Sequence, residues 1–245
     1  MIICTVLPTY NEQDNITTLV ESLLELQIGP DIIIVIDDNS TDMTATIVRQ
    51  LAIKHNSRHQ HKLLLVQRKS EKGLTSAIQT GIDIATNRYK ADIITWMDCD
   101  LSMPPKYLPD LINKLINGSA DISIGSRWIT GGKDIAHGLM ARTMSQIINK
   151  LAQTFLEPKI HDYTSGFVAA KTKVLNSVRL QGDYGEYCIN LLCMAHHHDY
   201  KIEEIPYICV PRTQGESKTG ITIYDYLTKG TKYVSTIYNL FLSNK

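Results

Sequence analysis

The sequence predicts an α/β protein with a mostly parallel central sheet flanked by helices. Two observations predict this class. Short apolar runs typical of buried strands alternate with segments of helical apolar spacing, and polar or acidic residues directly follow several of the runs. Because strand and helix alternate from the N-terminus to about residue 127, each helix is expected to connect two parallel strands.

The predicted strands consist mainly of isoleucine, valine and leucine, as the strands of a sheet covered on both faces do. They cover residues 2–7, 31–36, 62–67, 91–97 and 120–125, a short stretch after Phe167, and residues 201–210.

The predicted helices begin at polar cap residues, glycine or proline, and their apolar residues recur at spacings of three and four. They cover residues 16–26, 42–51, 73–86, 104–115, 137–156, 186–198 and 223–241. The last of these has aromatic and aliphatic residues on one side and lysines on another, and is therefore predicted to be amphipathic.

Composition limits the functional classes. The 245 residues carry a formal net charge of zero, which gives no electrostatic case for nucleic acid as a partner. The N-terminus enters a strand directly, so no signal peptide is expected, and no apolar run approaches the length that spans a bilayer. The five scattered cysteines favour free thiols in a reducing compartment, which predicts a cytoplasmic location.

The most informative stretch ends in Asp98-Cys99-Asp100, directly after an apolar run. Parallel sheets bind ligands beyond the carboxyl ends of their strands, and alternation places Asp98 and Asp100 on the same side of the chain. Two close carboxylates retain their charge best with a cation between them, and Mg²⁺ is commonly held by carboxylates together with substrate phosphates. The stretch therefore predicts an Mg²⁺ or Mn²⁺ site, with a solvated acidic turn as the alternative.

Two further polar clusters follow the first and second predicted strands, at residues 10–12 and 37–42. The carboxyl ends of parallel strands meet at one edge of a sheet, so the three clusters are predicted to form one site. Asp37, Asp38 and Asp42 also have a simpler interpretation, because acids stabilise helix N-termini.

Neither a dinucleotide-binding glycine fingerprint nor a P-loop is present in the sequence. Any bound phosphates must then be neutralised by the metal and by basic side chains in loops or at the ends of elements. The candidates are Arg127, Arg142, Arg212 and Lys218.

Six motifs, which occur along the chain in the order of the family, resemble those of the family 2 inverting glycosyltransferases with the GT-A fold. The most similar branch is the polyprenyl-phosphate hexosyltransferases, the branch of dolichol-phosphate mannose synthase. The resemblance covers residues 2 to about 220, and the motifs are Pro8-Thr9-Tyr10-Asn11-Glu12, residues 36–44, residues 97–102, Gly125-Ser126-Arg127-Trp128, residues 162–167 and residues 212–218.

This resemblance implies transfer of a hexose, usually mannose from GDP-mannose, to a polyprenyl or dolichyl phosphate with the help of a divalent metal. It also implies a nucleotide-binding set and a metal pair. The positions matching the nucleotide- and donor-binding residues are Pro8, Tyr10, Glu12, Ile36, Asp38, Asp98, Cys99, Asp100, Arg127, Arg212 and Lys218, and Asp98 and Asp100 match the metal ligands. Asp100, Arg127 and Arg142 are the catalytic candidates, with Arg142 assigned to the acceptor phosphate.

Several positions depart from the family pattern. Thr75 stands where glycine is frequent, Cys99 where alanine is common, Val168 where arginine is common, and Thr219 where leucine is usual. None of these departures removes a metal or phosphate ligand, but they leave a UDP-sugar donor and a sugar-hydroxyl acceptor open. A hydroxyl acceptor would require a base, for which Asp100 and Asp162 are the candidates.

The expected organisation is a catalytic domain over residues 1–220 and an amphipathic helix over residues 221–245. A lipid acceptor requires contact with a membrane, so this helix is predicted to lie at the cytoplasmic face of a membrane, with packing on the sheet as the alternative. Three alternative hypotheses place the protein in other functional classes. They are a receiver-like switch module, a nucleotide-sugar-binding protein without activity, and a nucleotidyltransferase.

Overall fold

A computed structural model of the chain describes residues 1–57, 62–70, 72–214 and 223–243. Within these residues it confirms the predicted class, with a seven-stranded sheet, a separate two-stranded ribbon, and helices on both faces of the sheet. The strands are β1 (Ile3–Thr9), β2 (Ile32–Asp37), β3 (Leu63–Gln67), β4 (Ile93–Trp96), β5 (Ile122–Ser126), β6 (Lys133–Asp134), β7 (Val168–Lys171), β8 (Ile202–Pro206) and β9 (Ile208–Cys209).

Seven of the eight α-helices among the described residues agree with the apolar spacing in the sequence to within a few residues at each end, and the short sixth helix is not predicted. The helices are α1 (Ile16–Leu24), α2 (Thr44–His55), α3 (Leu74–Asn87), α4 (Leu108–Ile116), α5 (Leu139–Phe155), α6 (Thr172–Ser177), α7 (Tyr187–His197) and α8 (Ile223–Ser243). Pro105–Tyr107 forms a single 3₁₀ turn before α4, where the sequence predicts the start of the helix itself.

The strand order is β3-β2-β1-β4-β7-β5-β8. Strand β7 is antiparallel to both of its neighbours, β4 and β5, whereas the other pairings in the sheet are parallel. The carboxyl ends of β1, β2 and β4 therefore meet at one edge, as the sequence predicts, and this edge carries the candidate site.

Two apolar layers enclose the sheet. One lies under α3, α5, α7 and α8 and includes Ile78, Ile82 and Leu191, and the other lies under α1, α2 and α4 and includes Leu19 and Val48. Together these layers hold the ends of the strands in fixed positions.

The sequence predicts one continuous strand over residues 201–210, but the structure divides it into β8 and β9. Strand β8 pairs with β5 as far as Pro206, which has no backbone N–H for a ladder bond. Strand β9 then pairs with β6 in the two-stranded ribbon. Two other short elements, β6 and α6, fall below the length that periodicity can detect.

Helix α8 packs against α5 and α7. Ile237 and Leu240 are buried in this contact, and the rings of Phe155 and Phe241 meet edge to face with centroids 5.4 Å apart. Among the described residues, no helix has the length and apolar character needed to cross a membrane. The boundary at residue 220 and the side chain of Lys229 lie outside what the structure describes.

Candidate active site

Two adjoining cavities open at the edge where β1, β2 and β4 end. The smaller has a volume of about 230 Å³ and the larger of about 310 Å³. The residues that line both cavities are Leu74, Asp98, Asp100, Tyr184 and Arg212. The acidic pair thus lies where two ligands in separate cavities would meet.

The smaller cavity brings together most of the nucleotide-binding candidates named from the sequence. Its lining includes Pro8, Tyr10, Glu12, Asp38 and Cys99, which lie on three different strand ends. Tyr10 is 38% exposed, so its ring is accessible at this edge. The structure therefore supports the prediction that the polar clusters after the strands form one site.

The carboxylate of Asp38 is held by two hydrogen-bond donors that no sequence motif indicates. Its Oδ1 accepts a hydrogen bond from Arg68 Nε at 2.6 Å, and its Oδ2 accepts one from the backbone N–H of Gly73 at 2.8 Å. Arg68 is itself buried, and its Nη2 donates to the carbonyl of Gly73. The acid after β2 thus ties the loop before α3 to the floor of the smaller cavity.

Asp37 and Asp42 serve the local fold. Asp37 is fully buried and accepts the N–H of Ser40 at 3.2 Å, and Asp42 accepts the N–H of Thr44 at 2.9 Å at the start of α2. The simpler interpretation, that acids stabilise the beginning of this helix, fits Asp42, whereas Asp37 fixes the loop after β2 through Ser40 and Gln67.

Ile36 does not reach either cavity. Its side chain is fully buried in the apolar layer under α3, while its backbone pairs with Pro8 and Val66 in the sheet. Successive side chains of a strand point to opposite faces, so the position next to the strand end is directed into the core. The prediction of Ile36 as a nucleotide contact is not supported by this placement.

Asp98 has an environment that suits a bound cation. Burial, followed by the nearby charges of Asp100 and Glu12, raises the pKa of Asp98 to about 7. Within the residues that the structure describes, no donor forms a hydrogen bond to its carboxylate. A half-buried carboxylate with no donor among the described residues gains most from a hard divalent ion, so the residues present fit Mg²⁺ or Mn²⁺.

The negative charge of Asp100 is partly compensated by hydrogen-bond donors of the protein itself. Burial alone would raise its pKa, but hydrogen bonds from Ser102 and from Arg212 outweigh this effect and lower it. Arg212 Nη2 lies 2.6 Å from Asp100 Oδ2, and the N–H of Ser102 lies 3.0 Å from Oδ1. This ion pair places the predicted phosphate ligand Arg212 at the acidic pair. Lys218, its predicted companion, lies outside the described residues.

Arg127 lines the larger cavity but is held firmly from behind. Its Nε and Nη2 donate to the two carboxylate oxygens of Asp162 at 2.8 and 2.9 Å, and its Nη1 lies 3.4 Å from Asp134. Burial would lower the pKa of Arg127, but the charge and hydrogen bonds of Asp162 together with nearby Tyr207 and Cys209 outweigh burial and raise it well above its usual value. Arg127 therefore contributes a permanently charged side chain with a fixed orientation to the lining of this cavity.

Asp162 is fully buried behind Arg127 and does not line either cavity. Both of its oxygens accept hydrogen bonds from the guanidinium, so it is poorly placed to remove a proton from an acceptor hydroxyl. Its position argues against the role of base that the sequence left open for it.

Arg142, the predicted ligand of the acceptor phosphate, lies beside the larger cavity. It does not line the larger cavity, whereas its neighbour Ala141 and the next helical turn, at Ser145, do. The Nη1 atom of Arg142 donates to the carbonyl of Asp134 at 3.3 Å. Because each residue of a helix is rotated by about 100° from the previous one, neighbouring positions of α5 have different surroundings, and the role of Arg142 stays a prediction.

The larger cavity contains aromatic and hydroxyl groups that no sequence motif indicates. Tyr184, Tyr187 and Tyr233 line it, and the hydroxyl of Tyr187 accepts a hydrogen bond from Trp96 Nε1 at 2.9 Å. Tyr233 belongs to α8, so the C-terminal helix forms part of the wall. Aromatic residues at helical spacing in the sequence could have suggested packing, but not a contribution to this cavity.

The sheet with one antiparallel strand, the two joined cavities and the acidic pair between them place the protein in the GT-A class of folds. The model of the family "Glycosyl transferase family 2" matches residues 4–179. The chain therefore belongs to glycosyl transferase family 2.

Two curated relatives cover nearly the whole chain. The dolichol-phosphate mannosyltransferase of Pyrococcus furiosus is 33% identical over 93% of this chain and 62% of its own length. The polyprenol monophosphomannose synthase of Mycolicibacterium smegmatis is 30% identical over 91% of this chain and 83% of its own length. The chain thus spans less than two thirds of the length of the Pyrococcus relative.

A solved structure supports the fold independently. Glucosyl-3-phosphoglycerate synthase from Mycobacterium tuberculosis, crystallised with Mn²⁺, UDP and phosphoglyceric acid, matches 98% of this chain and 78% of its own with a TM-score of 0.72. At 20% sequence identity this likeness extends to the fold alone.

Proposed function

We propose that the chain is an inverting hexosyltransferase that moves mannose from GDP-mannose to the phosphate of a polyprenyl or dolichyl lipid. The observation that carries the proposal is the pair of cavities that meet at Asp98 and Asp100. An inverting displacement needs donor and acceptor on opposite sides of the reacting carbon, and two adjoining cavities provide this arrangement. The names of the two curated relatives support the mannosyl donor and the lipid phosphate.

In this proposal the smaller cavity holds the nucleotide. Tyr10, Glu12 and Asp38 supply an aromatic face and two carboxylates for the base and ribose. Asp98 and Asp100 would hold Mg²⁺ or Mn²⁺, which would neutralise the charge that develops on the departing diphosphate. Arg212, already beside Asp100, would supply a second positive charge to the same phosphates.

The larger cavity would hold the acceptor phosphate. A phosphate monoester is anionic at neutral pH, so it attacks without a general base and requires positioning and charge neutralisation. Arg127, oriented by Asp162, supplies a fixed positive charge there. The buried position of Asp162 removes one of the two candidate bases for a sugar-hydroxyl acceptor and leaves Asp100 as the other.

The proposal includes contact with a membrane surface, because the acceptor is a lipid. Val234, Tyr238 and Leu242 recur every four residues along α8 and are 49%, 60% and 51% exposed. Met140 and Ile147 of α5, the helix that packs on α8, are exposed as well. This apolar surface supports a peripheral location, and the five cysteines, which form no disulfide in the described structure, fit the reducing, cytoplasmic side.

A donor screen tests the proposal. GDP-mannose, UDP-glucose and UDP-GlcNAc are titrated by calorimetry with Mn²⁺ or Mg²⁺, and the binding donor is then supplied with a polyprenyl phosphate in detergent. We expect metal-dependent binding of GDP-mannose and a mannosylated lipid product with release of GDP. Release of pyrophosphate would identify a nucleotidyltransferase instead.

Asp98→Asn is the diagnostic variant, and Asp110→Asn, on the exposed side of α4, is its matched control. We expect Asp98→Asn to lose metal-dependent donor binding and the control to keep it. Donor binding that persists in Asp98→Asn with the same metal dependence would overturn the assignment of the acidic pair.

A further inference from the structure

The larger cavity has three described lining residues with a basic side chain, namely Arg127, His137 and Arg212. Arg127 is bound to Asp162, and Arg212 is bound to Asp100. His137 lies on the loop between β6 and α5, is 44% exposed at its side chain, and belongs to none of the motifs found in the sequence. It is therefore a cavity group to which neither the sequence nor the family comparison assigns a role.

Asp134 fixes the orientation of His137. The Oδ1 atom of Asp134 accepts the backbone N–H groups of Ala136 and His137, each at 3.1 Å, so the carboxylate is anchored in its own loop. His137 Nδ1 lies 3.0 Å from Oδ2 of the same carboxylate. An imidazole that uses Nδ1–H in this way presents Nε2 on the other side of its ring, away from Asp134.

Asp134 faces His137 as a carboxylate with a lowered pKa. Burial would raise the pKa of Asp134, but the hydrogen bonds from His137 and the nearby charge of Arg127 outweigh burial and lower it. With Nδ1 held at this carboxylate, Nε2 is the ring atom of His137 that is left to contact a ligand in the cavity. A cavity lined by Arg127 and this ring atom is suited to a doubly charged phosphate.

A metal ion is the competing use of the same residues. Asp134, His137 and Cys209 have ligand atoms within 4.8 Å of one another. The guanidinium of Arg127 already lies 3.4 Å from Asp134 Oδ2, and burial raises the pKa of the Cys209 thiol to about 12. A neighbouring cation and a protonated thiol both disfavour a metal, so the geometry favours the binding of an anion.

We propose that His137, oriented by Asp134, donates its Nε2–H to the phosphate of the acceptor lipid during transfer. This inference rests on the proposed function, because it assigns a second phosphate-binding residue to the acceptor side of the same site. It makes His137 a substrate contact and Asp134 its positioning residue.

The test compares initial rates at varied polyprenyl phosphate concentration and saturating GDP-mannose. His137→Gln has a neutral polar side chain, and His137→Arg has a side chain that always carries a positive charge. We expect His137→Gln to raise the acceptor KM about tenfold or more, as the loss of a charged hydrogen bond does, with the affinity for GDP unchanged. We expect His137→Arg to recover most of this loss.

His161→Gln is the matched control. His161 is 47% exposed and its Nδ1 lies 2.7 Å from Glu204 Oε2, so it is a similar histidine–carboxylate pair outside both cavities. The variant His161→Gln should leave the acceptor KM unchanged. An acceptor KM for His137→Gln within twofold of the wild-type value would overturn the inference, as would an equal loss of donor affinity.

Failure of the proposed function gives a different result. If the wild-type chain forms no mannosylated lipid, transfer is absent before any variant is compared. Binding of the polyprenyl phosphate alone, followed by phosphorus NMR, then tests His137 directly. Weaker binding to His137→Gln than to the wild-type chain and to His161→Gln would support the inference, and equal binding to all three would overturn it.

Discussion

Single residues in this site depend on partners that lie far along the chain. Arg127 is charged and buried, and Asp162 satisfies it through two parallel hydrogen bonds from the guanidinium and a third from the backbone N–H of Arg127. Removing one member of a buried pair leaves an uncompensated charge in a poorly solvated position, which costs far more than the loss of an exposed pair.

We therefore expect Asp162→Asn to lower the free energy of unfolding by about 3 kcal/mol or more. Urea denaturation followed by circular dichroism measures the change. Glu21→Gln is the control, because it removes an exposed pair in which Lys54 Nζ lies 2.6 Å from Glu21 Oε1, and it should cost at most about 1 kcal/mol. Equal midpoints and slopes for Asp162→Asn and the wild type would contradict this account of Arg127.

At the scale of elements, α8 has two distinct sides. Ile237 and Leu240 are buried against the body of the protein, whereas Val234, Tyr238 and Leu242 are exposed at a spacing of four. Packing and membrane contact, the two predicted alternatives for this helix, are therefore compatible, because packing uses one side and leaves an apolar side exposed. The main contacts of α8 are with α5 and α7.

Replacing Val234, Tyr238 and Leu242 together by serine should reduce cosedimentation with vesicles of anionic phospholipid several-fold, because apolar area that enters the interface is lost. Donor binding and the melting temperature should change little, since these side chains are exposed in the folded protein. Ile53→Ser, at an 81% exposed residue of α2, is the control and should pellet as the wild type does. A triple variant that still pellets fully would show that this surface does not contact the membrane.

At the scale of the whole molecule, Asp121 joins segments that are distant in the chain. It lies just before β5, and Lys171 and Lys173 place their Nζ atoms 3.1 and 2.8 Å from its Oδ1. The backbone N–H of Lys201, just before β8, lies 3.3 Å from Oδ2. Burial acts against ionisation here, but these hydrogen bonds outweigh it and lower the pKa of Asp121 to about 2.

A lowered pKa means that the unfolded chain binds this proton more readily than the folded protein. The stabilisation from Asp121 is therefore complete above about pH 4 and is lost as the pH falls towards about 2. The carboxylate of Asp121 is partly screened by solvent, because its partner Lys173 is exposed. Asp121 therefore contributes about 1 kcal/mol to the free energy of unfolding. The difference in unfolding free energy between the wild type and Asp121→Asn, measured in urea at several pH values, should shrink over that interval. A difference that stays constant from pH 7 to pH 2 would contradict this role.

The sequence predicts the class of fold because it carries local signals. Apolar runs and helical spacing identify most of the strands and helices, and polar residues after β1, β2 and β4 predict one site at one edge. The smaller cavity brings together Pro8, Tyr10, Glu12, Asp38 and Cys99 in agreement with that prediction. These features require no knowledge of the chain beyond a few neighbouring residues and the general geometry of parallel sheets.

Tertiary structure alone decides how the charged residues divide their roles. Arg127 pairs with Asp162, which lies 35 positions away in the sequence, and Asp100 pairs with Arg212, which lies 112 positions away. No local sequence pattern encodes pairs at such separations. The antiparallel insertion of β7 and the orientation of His137 by Asp134 depend on the same long-range packing. Local periodicity fixes which face of an element a residue occupies, but the partner on the other side of that face is chosen only when the elements pack.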